Sequence, residues 1–428
     1  MLLYIIKKAC LQYHLRLIEN QLTDMMNGAE MLFWLKKAKP EFEAEMHRSL
    51  QFWIRRMQDP VNGGFYGRID GLNQLYPKAD KSVILNTRIL WTFSHIARYT
   101  SNKNYHEMAL RAYDYIIKHF IDKNFGGVYW MVDYKGEPVN KRKQVYAQAF
   151  AIYALSEYYL CSKDEKSLQY AKDIFRHIEH YSFDAIKNGY MEAFTEEWEE
   201  IDDLRLSEKD ANEKKTMNTH LHVMEAYTNL YRVWPDEELQ RQLRNLLLVF
   251  FDKFINSRAH FQLFFDENWN RKSAEISFGH DIEGSWLLCE AAEVLDDKIF
   301  IEKARAIAIK MTDAVIKEGL DSDGALMNEA DEHGITDSDK HWWPQAEALV
   351  GFMNAWEIKP EPKYVDALKN NWQFINKTLL DQENGEWYWR SNKIGTIITS
   401  EDKAGPWKCP YHNNRAMMEL IRRIDHFK

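Results

Sequence analysis

The chain is poor in the features that mark specialised protein classes. Cysteine is scarce in its 428 residues: Cys10, Cys161, Cys289 and Cys409 stand far apart, with no CxxC pair and no close spacings. That pattern excludes a disulfide framework and fits free thiols in a reducing compartment, the cytoplasm. No apolar run approaches the roughly 20 residues of a membrane span; the run Leu246 to Phe251 falls far short. The start, Met1 to Ile6 followed by Lys7 and Lys8, fails as a signal peptide, because the apolar stretch is short and the basic pair lies on its wrong side. Positive charge is not in surplus either. Against 65 Asp and Glu there are 56 Lys and Arg, a net charge of −9, which argues against nucleic acid or an anionic membrane as partner.

The rest of the composition is that of a globular protein. Hydrophobic residues make up 45% and charged residues 28%, enough to bury a large core in one big domain or two to three smaller ones. Aromatic residues reach 14%, with 15 Trp, 22 Tyr and 22 Phe. Most belong to the core; the surplus of Trp leaves some to line a pocket.

A short signature of a turn followed by aromatics recurs along the chain. It reads Asn62-Gly63-Gly64-Phe65-Tyr66, then Phe125-Gly126-Gly127-Val128-Tyr129-Trp130, Asn188-Gly189-Tyr190-Met191, Asp323-Gly324-Ala325-Leu326 and Asn384-Gly385-Glu386-Trp387-Tyr388-Trp389. The first glycines are spaced by 63, 63, 135 and 61 residues. The long gap is two periods, with a degenerate unit near His260-Phe261-Gln262-Leu263-Phe264 that has lost its glycine. Six units follow. Between signatures lie two helical patterns, one amphipathic, as in Tyr105 to Phe120, and one almost wholly apolar, as in Val145 to Leu160. Such units cannot bury their faces singly. The expected fold is all-α: an (α/α)6 barrel with short β-hairpins at one end, in one domain over residues 28–428 behind an N-terminal extension over 1–27. The aromatics Phe65, Trp130 and Trp389 are expected to pack the hairpins. The polar stretch Glu196 to Lys215 is expected to be an inserted loop over one end of the barrel.

Unusual polar residues sit at the start of the helix that follows each turn: Asn86-Thr87-Arg88, Tyr146-Ala147-Gln148, Asn218 to Glu225, His280-Asp281-Ile282-Glu283, Trp342 to Glu347, and Trp407 to Arg415. In a closed ring these positions converge on one mouth. Helical spacing puts Asn218 with His222, His280 with Glu283, and Trp343 with Glu347 on shared faces. Any one histidine is more often hydrogen-bonded core than catalyst; three at matching points of a repeat favour function. His220 and His222 point about 200° apart on a helix and cannot share one metal ion, so His222 is expected to face the pocket and His220 the neighbouring helices. No metal site is expected.

These segments resemble the N-acylglucosamine 2-epimerase superfamily over about residues 30 to 428, and the run Gly405-Pro406-Trp407-Lys408-Cys409-Pro410-Tyr411-His412-Asn413 favours its cellobiose branch. The resemblance implies catalytic roles for His280 and His412, with Arg88 steadying the enediolate oxygen. It implies substrate contacts from Tyr146, Asn218, His222, Glu283 and Glu347, and sugar stacking on Trp343 and Trp407. It further implies inversion of C2 in the reducing-end glucose of β-1,4-linked disaccharides, cellobiose or lactose, without nucleotide or metal cofactor, by a monomer or homodimer.

The residues suit that chemistry on their own terms. Inversion at C2 of an opened sugar needs a base on one face and an acid on the other, and imidazole serves as either near neutral pH. A guanidinium beside O1 stabilises the charge that develops there. Glu283, one turn from His280, either orients that ring or binds a hydroxyl. Rival readings are an N-acylglucosamine epimerase, a mannose-type aldose–ketose isomerase, and an (α/α)6 glycoside hydrolase using Glu283 and Glu347 as an acid and base pair.

Overall fold

The computed structural model describes residues 30–427, so the extension expected over 1–27 lies outside the described residues. Amphipathic and apolar helices alternate along the chain. They are α1 over 30–52 and α2 Val83–Thr100, α3 Lys103–His119 and α4 Val145–Ser162, α5 Glu165–His177 and α6 Met217–Tyr231, α7 Glu237–Val249 and α8 Phe278–Leu295, α9 Lys298–Glu318 and α10 Trp342–Ile358, and α11 Pro362–Phe374 and α12 Tyr411–His426. Side-chain caps start many of them: Ser82, Asn102, Asp164, Thr216, Asp236 and Asp297 accept first-turn N–H groups.

The even-numbered helices α2 to α10 are the apolar ones, and α12, polar in sequence, is nonetheless buried from Tyr411 to Ile421. Each packs on the next, and α12 returns to α2, which closes the ring. The odd-numbered helices lie outside, their apolar stripes turned inward and their charges outward. This is the (α/α)6 barrel expected from the repeat; the same helices stacked as an open α-solenoid would leave α12 and α2 apart, and they are in contact.

The signature turns lie at the end where the inner helices begin. The extended pair ahead of each of the first five inner helices bonds to the segment that follows the next turn: Lys81–Ser82 to Met131–Val132, Lys143–Gln144 to Ala193–Phe194, Lys215–Thr216 to Phe264–Phe265, Ile276–Ser277 to Glu329–Asp331, and Lys340–His341 to Arg390–Ser391. Neighbouring repeats are thereby laced together.

Beneath each turn is a device that sequence reading missed. The aspartate opening the turn meets a buried lysine from the segment ahead of the inner helix, a strand in the first four pairs and a loop in the last: Asp59 with Lys81 at 2.9 Å, Asp122 with Lys143 at 2.6 Å, Asp184 with Lys215 at 2.9 Å, Asp321 with Lys340 at 2.7 Å, and Asp381 with Lys403. In the degenerate fourth unit both partners are gone. Asn256 opens the turn, Ile276 fills the lysine position, and Ala259 takes the left-handed conformation, φ 64°, that glycine holds in most of the other units. The two charges are lost together because either alone would be a buried, uncompensated ion.

Candidate active site

The inner helices all aim their N-terminal ends at one mouth, so their unpaired N–H groups and dipoles give that end a positive potential. The cavity there is about 520 Å³ and is lined by Arg88, Tyr146, Asn218, His222, His280, Glu283, Trp343, Trp407 and His412. Of the expected site residues, Glu347 alone lies behind the wall, fully buried. A second lobe of about 350 Å³ shares Asn218, His280, Trp343 and Trp389 with the first. Residues Leu206 to Asp210 of the long loop roof both lobes. The loop is tied down by Gln144 Nε2, which donates to the carbonyls of Leu204 and Arg205 at 3.2 and 3.0 Å.

Arg88 is buried under aromatic rings, 4.3 Å from the Phe150 centroid, and Nη2 donates to the Tyr146 hydroxyl at 2.7 Å. Burial raises the Tyr146 phenol above its usual value, against the pull of Arg88, so the phenol keeps its proton and has it to donate. Asn218 Oδ1 is buried with no partner among the described residues, an acceptor free for a ligand hydroxyl.

The two outer imidazoles of the wall have different partners. His412 Nδ1 lies 2.6 Å from Glu347 Oε1, whereas His280 Nδ1 lies 2.8 Å from Ser277 Oγ. A carboxylate only accepts, so it fixes the His412 proton on Nδ1 and leaves Nε2 as the basic atom. Burial, then the charges of Arg88 and Arg415, push His412 well below the ordinary histidine value. Burial, then His222, lowers His280 to about 3. The Trp343 indole sits between the two rings, with centroids 4.8 Å from His280 and 5.7 Å from His412. His222 Nδ1 is 2.9 Å from Glu225 Oε2. His220 takes no part: it accepts the Tyr190 N–H at 2.8 Å and contacts the Thr216 carbonyl, as expected of a ring turned away.

Arg415 holds the layer beneath. Its Nη2 donates to Glu283 Oε1 at 2.6 Å and to Glu347 Oε1 at 2.7 Å, and its Nη1 meets Glu225 and the Tyr411 hydroxyl. Burial opposes ionisation of Glu225, but Arg415, His222 and Tyr411 outweigh it and hold that carboxyl at about 2. Glu283 is raised to about 7 by burial and by the charge of Glu347. Glu283, Glu347 and His412 have donor atoms within 4.8 Å of one another, yet the two carboxylates already share the Arg415 guanidinium, which fills the role a cation would have.

Some expectations need correcting. Glu283 has no hydrogen bond to His280; it pairs with Arg415 and lies 3.9 Å from His412, and Ser277 takes the orienting position instead. Trp389 is not confined to hairpin packing: it lines the cavity and packs at a tilt of 58° against Trp342, centroids 4.6 Å apart. Glu347 cannot flank a scissile bond with Glu283, having no face on the cavity. Sequence reading passed over Arg415 and Glu225, although each stands three residues past a selected histidine, one helical turn away.

The model of the N-acylglucosamine 2-epimerase family matches residues 64–416. A cellobiose 2-epimerase of Bacteroides fragilis is 50% identical over 386 residues, 90% of this chain and 98% of that one. A cellobiose 2-epimerase of Dictyoglomus turgidum is 38% identical over 91% of this chain and 100% of that one. The structure of cellobiose 2-epimerase from Bacillus thermoamylovorans superposes with a TM-score of 0.86 at 39% identity, covering 91% of this chain and 100% of that one.

Proposed function

The chain belongs to the N-acylglucosamine 2-epimerase family, and from this and the imidazoles of one cavity we infer that it is a cellobiose 2-epimerase, inverting C2 of the reducing-end glucose of β-1,4-linked disaccharides such as cellobiose and lactose. The single domain assigned to it is residues 28–428. The free thiols Cys161, Cys289 and Cys409 support a cytoplasmic setting.

The observation that carries the reading is the presence of His280 and His412 on one wall, on helices separated by α10, each with Nδ1 engaged and Nε2 left for the ligand. Once the sugar ring opens, His412 Nε2 takes the C2 proton. The C–H electron pair becomes the C1–C2 π bond, and the carbonyl pair moves to O1. Arg88 and the Tyr146 O–H meet that charge; a well-placed donor contributes about 2.7–4 kcal/mol. His280, neutral at rest because burial lowers its value to about 3, holds a proton on Nε2 against the negative charge of the enediolate beside it; it delivers that proton to the opposite face of C2, and the carbonyl re-forms as the mannose epimer. Asn218 and His222 hold hydroxyls, and Trp343 and Trp407 offer flat faces to the sugar C–H groups.

Incubation with cellobiose in deuterated buffer tests this. Glucosyl-mannose carrying deuterium at C2 is expected. Released glucose would instead indicate hydrolysis, and a ketose product would indicate an aldose–ketose isomerase. His280→Ala and His412→Ala are each expected to abolish epimerisation; appreciable turnover by either would refute the two-base scheme.

A further inference from the structure

The residue ahead of an inner helix caps it with its side chain in α2 and α6, whereas Gln144 and His341, at the same position ahead of α4 and α10, make no such bond. Ser82 Oγ accepts the Leu85 N–H at 3.0 Å to cap α2, and Thr216 Oγ1 accepts the Thr219 N–H at 3.2 Å to cap α6. Ser277 occupies the same position ahead of α8, in the strand paired with Glu329, but its side chain caps nothing. Its hydroxyl lies 2.8 Å from His280 Nδ1. A serine, the residue that caps α2, here spends its hydroxyl on one ring nitrogen at the cavity wall instead.

We propose that Ser277 is a positioning residue for the protonation step, holding the His280 ring so that Nε2 is the atom that delivers the proton to C2. A hydroxyl can accept from Nδ1–H or donate to a bare Nδ1; in the accepting arrangement assigned here Nδ1 keeps its proton and Nε2 is the atom that gains and loses one, so one contact serves both halves of the cycle. The proton leaves Nε2 for the carbon, the enediolate π pair forms the new C–H bond, and Nδ1–H stays on the hydroxyl. The contrast with His412 is one of partner charge: an anion, Glu347, stands beside the ring that takes the proton, whereas the neutral Ser277 gives the His280 imidazolium no counter-charge, so His280 parts with its proton readily. Trp343 steadies the same ring from the side, 4.8 Å away.

The inference rests on the epimerase reading, and cellobiose turnover in deuterated buffer separates the two. In the wild type, deuterium at C2 is followed in both the glucosyl-mannose formed and the cellobiose remaining. Ser277→Ala is expected to lower kcat by about 10-fold, part of the ~10²–10⁴ that a positioned acid contributes. His412 still removes the proton, so the enediolate returns more often to its starting face. The ratio of deuterium in remaining cellobiose to product therefore rises about 5-fold or more, with the acid step alone impaired. Ser277→Thr restores the wild-type ratio, and the melting midpoint of Ser277→Ala stays at the wild-type value because no cap is lost. Should Ser277→Ala not fold, Ser277→Cys, a weaker hydrogen-bonding group of similar shape, is read in the same way. A wild-type ratio and kcat in the substituted protein would overturn the inference while leaving the epimerase reading intact; a wild type that makes no mannose epimer would overturn that reading itself.

Discussion

Glu347 Oε1 lies 2.6 Å from His412 Nδ1 and 2.7 Å from Arg415 Nη2, so one carboxylate oxygen joins a base at the cavity to a buried guanidinium beneath it. The oxygen fixes the imidazole tautomer, and Arg415 fixes the oxygen. The remaining oxygen, Oε2, accepts the Trp286 N–H at 3.1 Å, which leaves the carboxylate little freedom to turn.

Glu347→Gln keeps the shape but lets the side chain donate as well as accept, so the His412 tautomer is no longer imposed. Turnover of cellobiose should fall by about 10²–10⁴-fold, the scale set by losing a base or its orienting carboxylate. Steady-state kinetics should show the loss in kcat rather than KM. Near-UV circular dichroism establishes that the variant is folded.

Gly279 precedes His280, and a Cβ placed there would run into the Trp343 indole and the Pro344 ring. Gly279→Ala is expected to push Trp343 from its place between the two imidazoles and lower kcat/KM by about 100-fold, the effect of roughly 1 Å of misplacement. Trp343 fluorescence should shift in the same variant.

Glu192, buried in the wall of the second lobe, accepts from the Thr216 N–H at 2.7 Å and the Thr219 hydroxyl at 2.5 Å with no cation beside it. Burial outweighs those bonds and raises its carboxyl to about 8. The folded state therefore keeps a proton that the unfolded chain releases near pH 4.3. This contribution to stability is complete below about pH 4.3 and is lost as pH rises through about 8. Glu192→Gln does not titrate, so its melting temperature should gain on the wild type between about pH 5 and about pH 8. Parallel melting curves across that range would refute the assignment.

The fourth unit's exchange of Asp and Lys for Asn256 and Ile276 is a natural template for the second. Lys143→Ile alone strands Asp122 and is expected to cost about 3–5 kcal/mol of stability. Adding Asp122→Asn, whose amide oxygen can still accept the turn N–H groups as Asn256 does, should recover part of that loss. Denaturant unfolding of the single and double variants measures the coupling.

Much of the architecture was legible before any coordinates. Glycine spacing gave the repeat, since a left-handed turn residue is needed once per unit, and the alternation of amphipathic with apolar helices distinguished the outer layer from the inner in every unit but the last, whose inner helix α12 is polar in sequence. The degenerate unit was located by period alone, and Ala259 now holds the turn there. The histidines and Arg88 were visible because charged or titratable groups at the head of an apolar helix are expensive to bury without purpose. Ser277, Arg415 and the Lys–Asp pairs were not, because serine at a helix start reads as a cap, and lysine and aspartate in loops read as solvated surface. Nothing in their local sequence says that they are buried or whom they meet.

The sequence by itself determined the class of fold and the chemical types at the mouth, because periodicity and residue chemistry are properties of the chain. Closure of the ring decided the rest. Only when α12 packs on α2 does Arg415 reach Glu225, Glu283 and Glu347 from other helices, and only then do His280 and His412 acquire different partners. Those contacts depend on distances across the barrel, and in a low-dielectric interior such distances set which nitrogen carries a proton and which carboxyl keeps its charge.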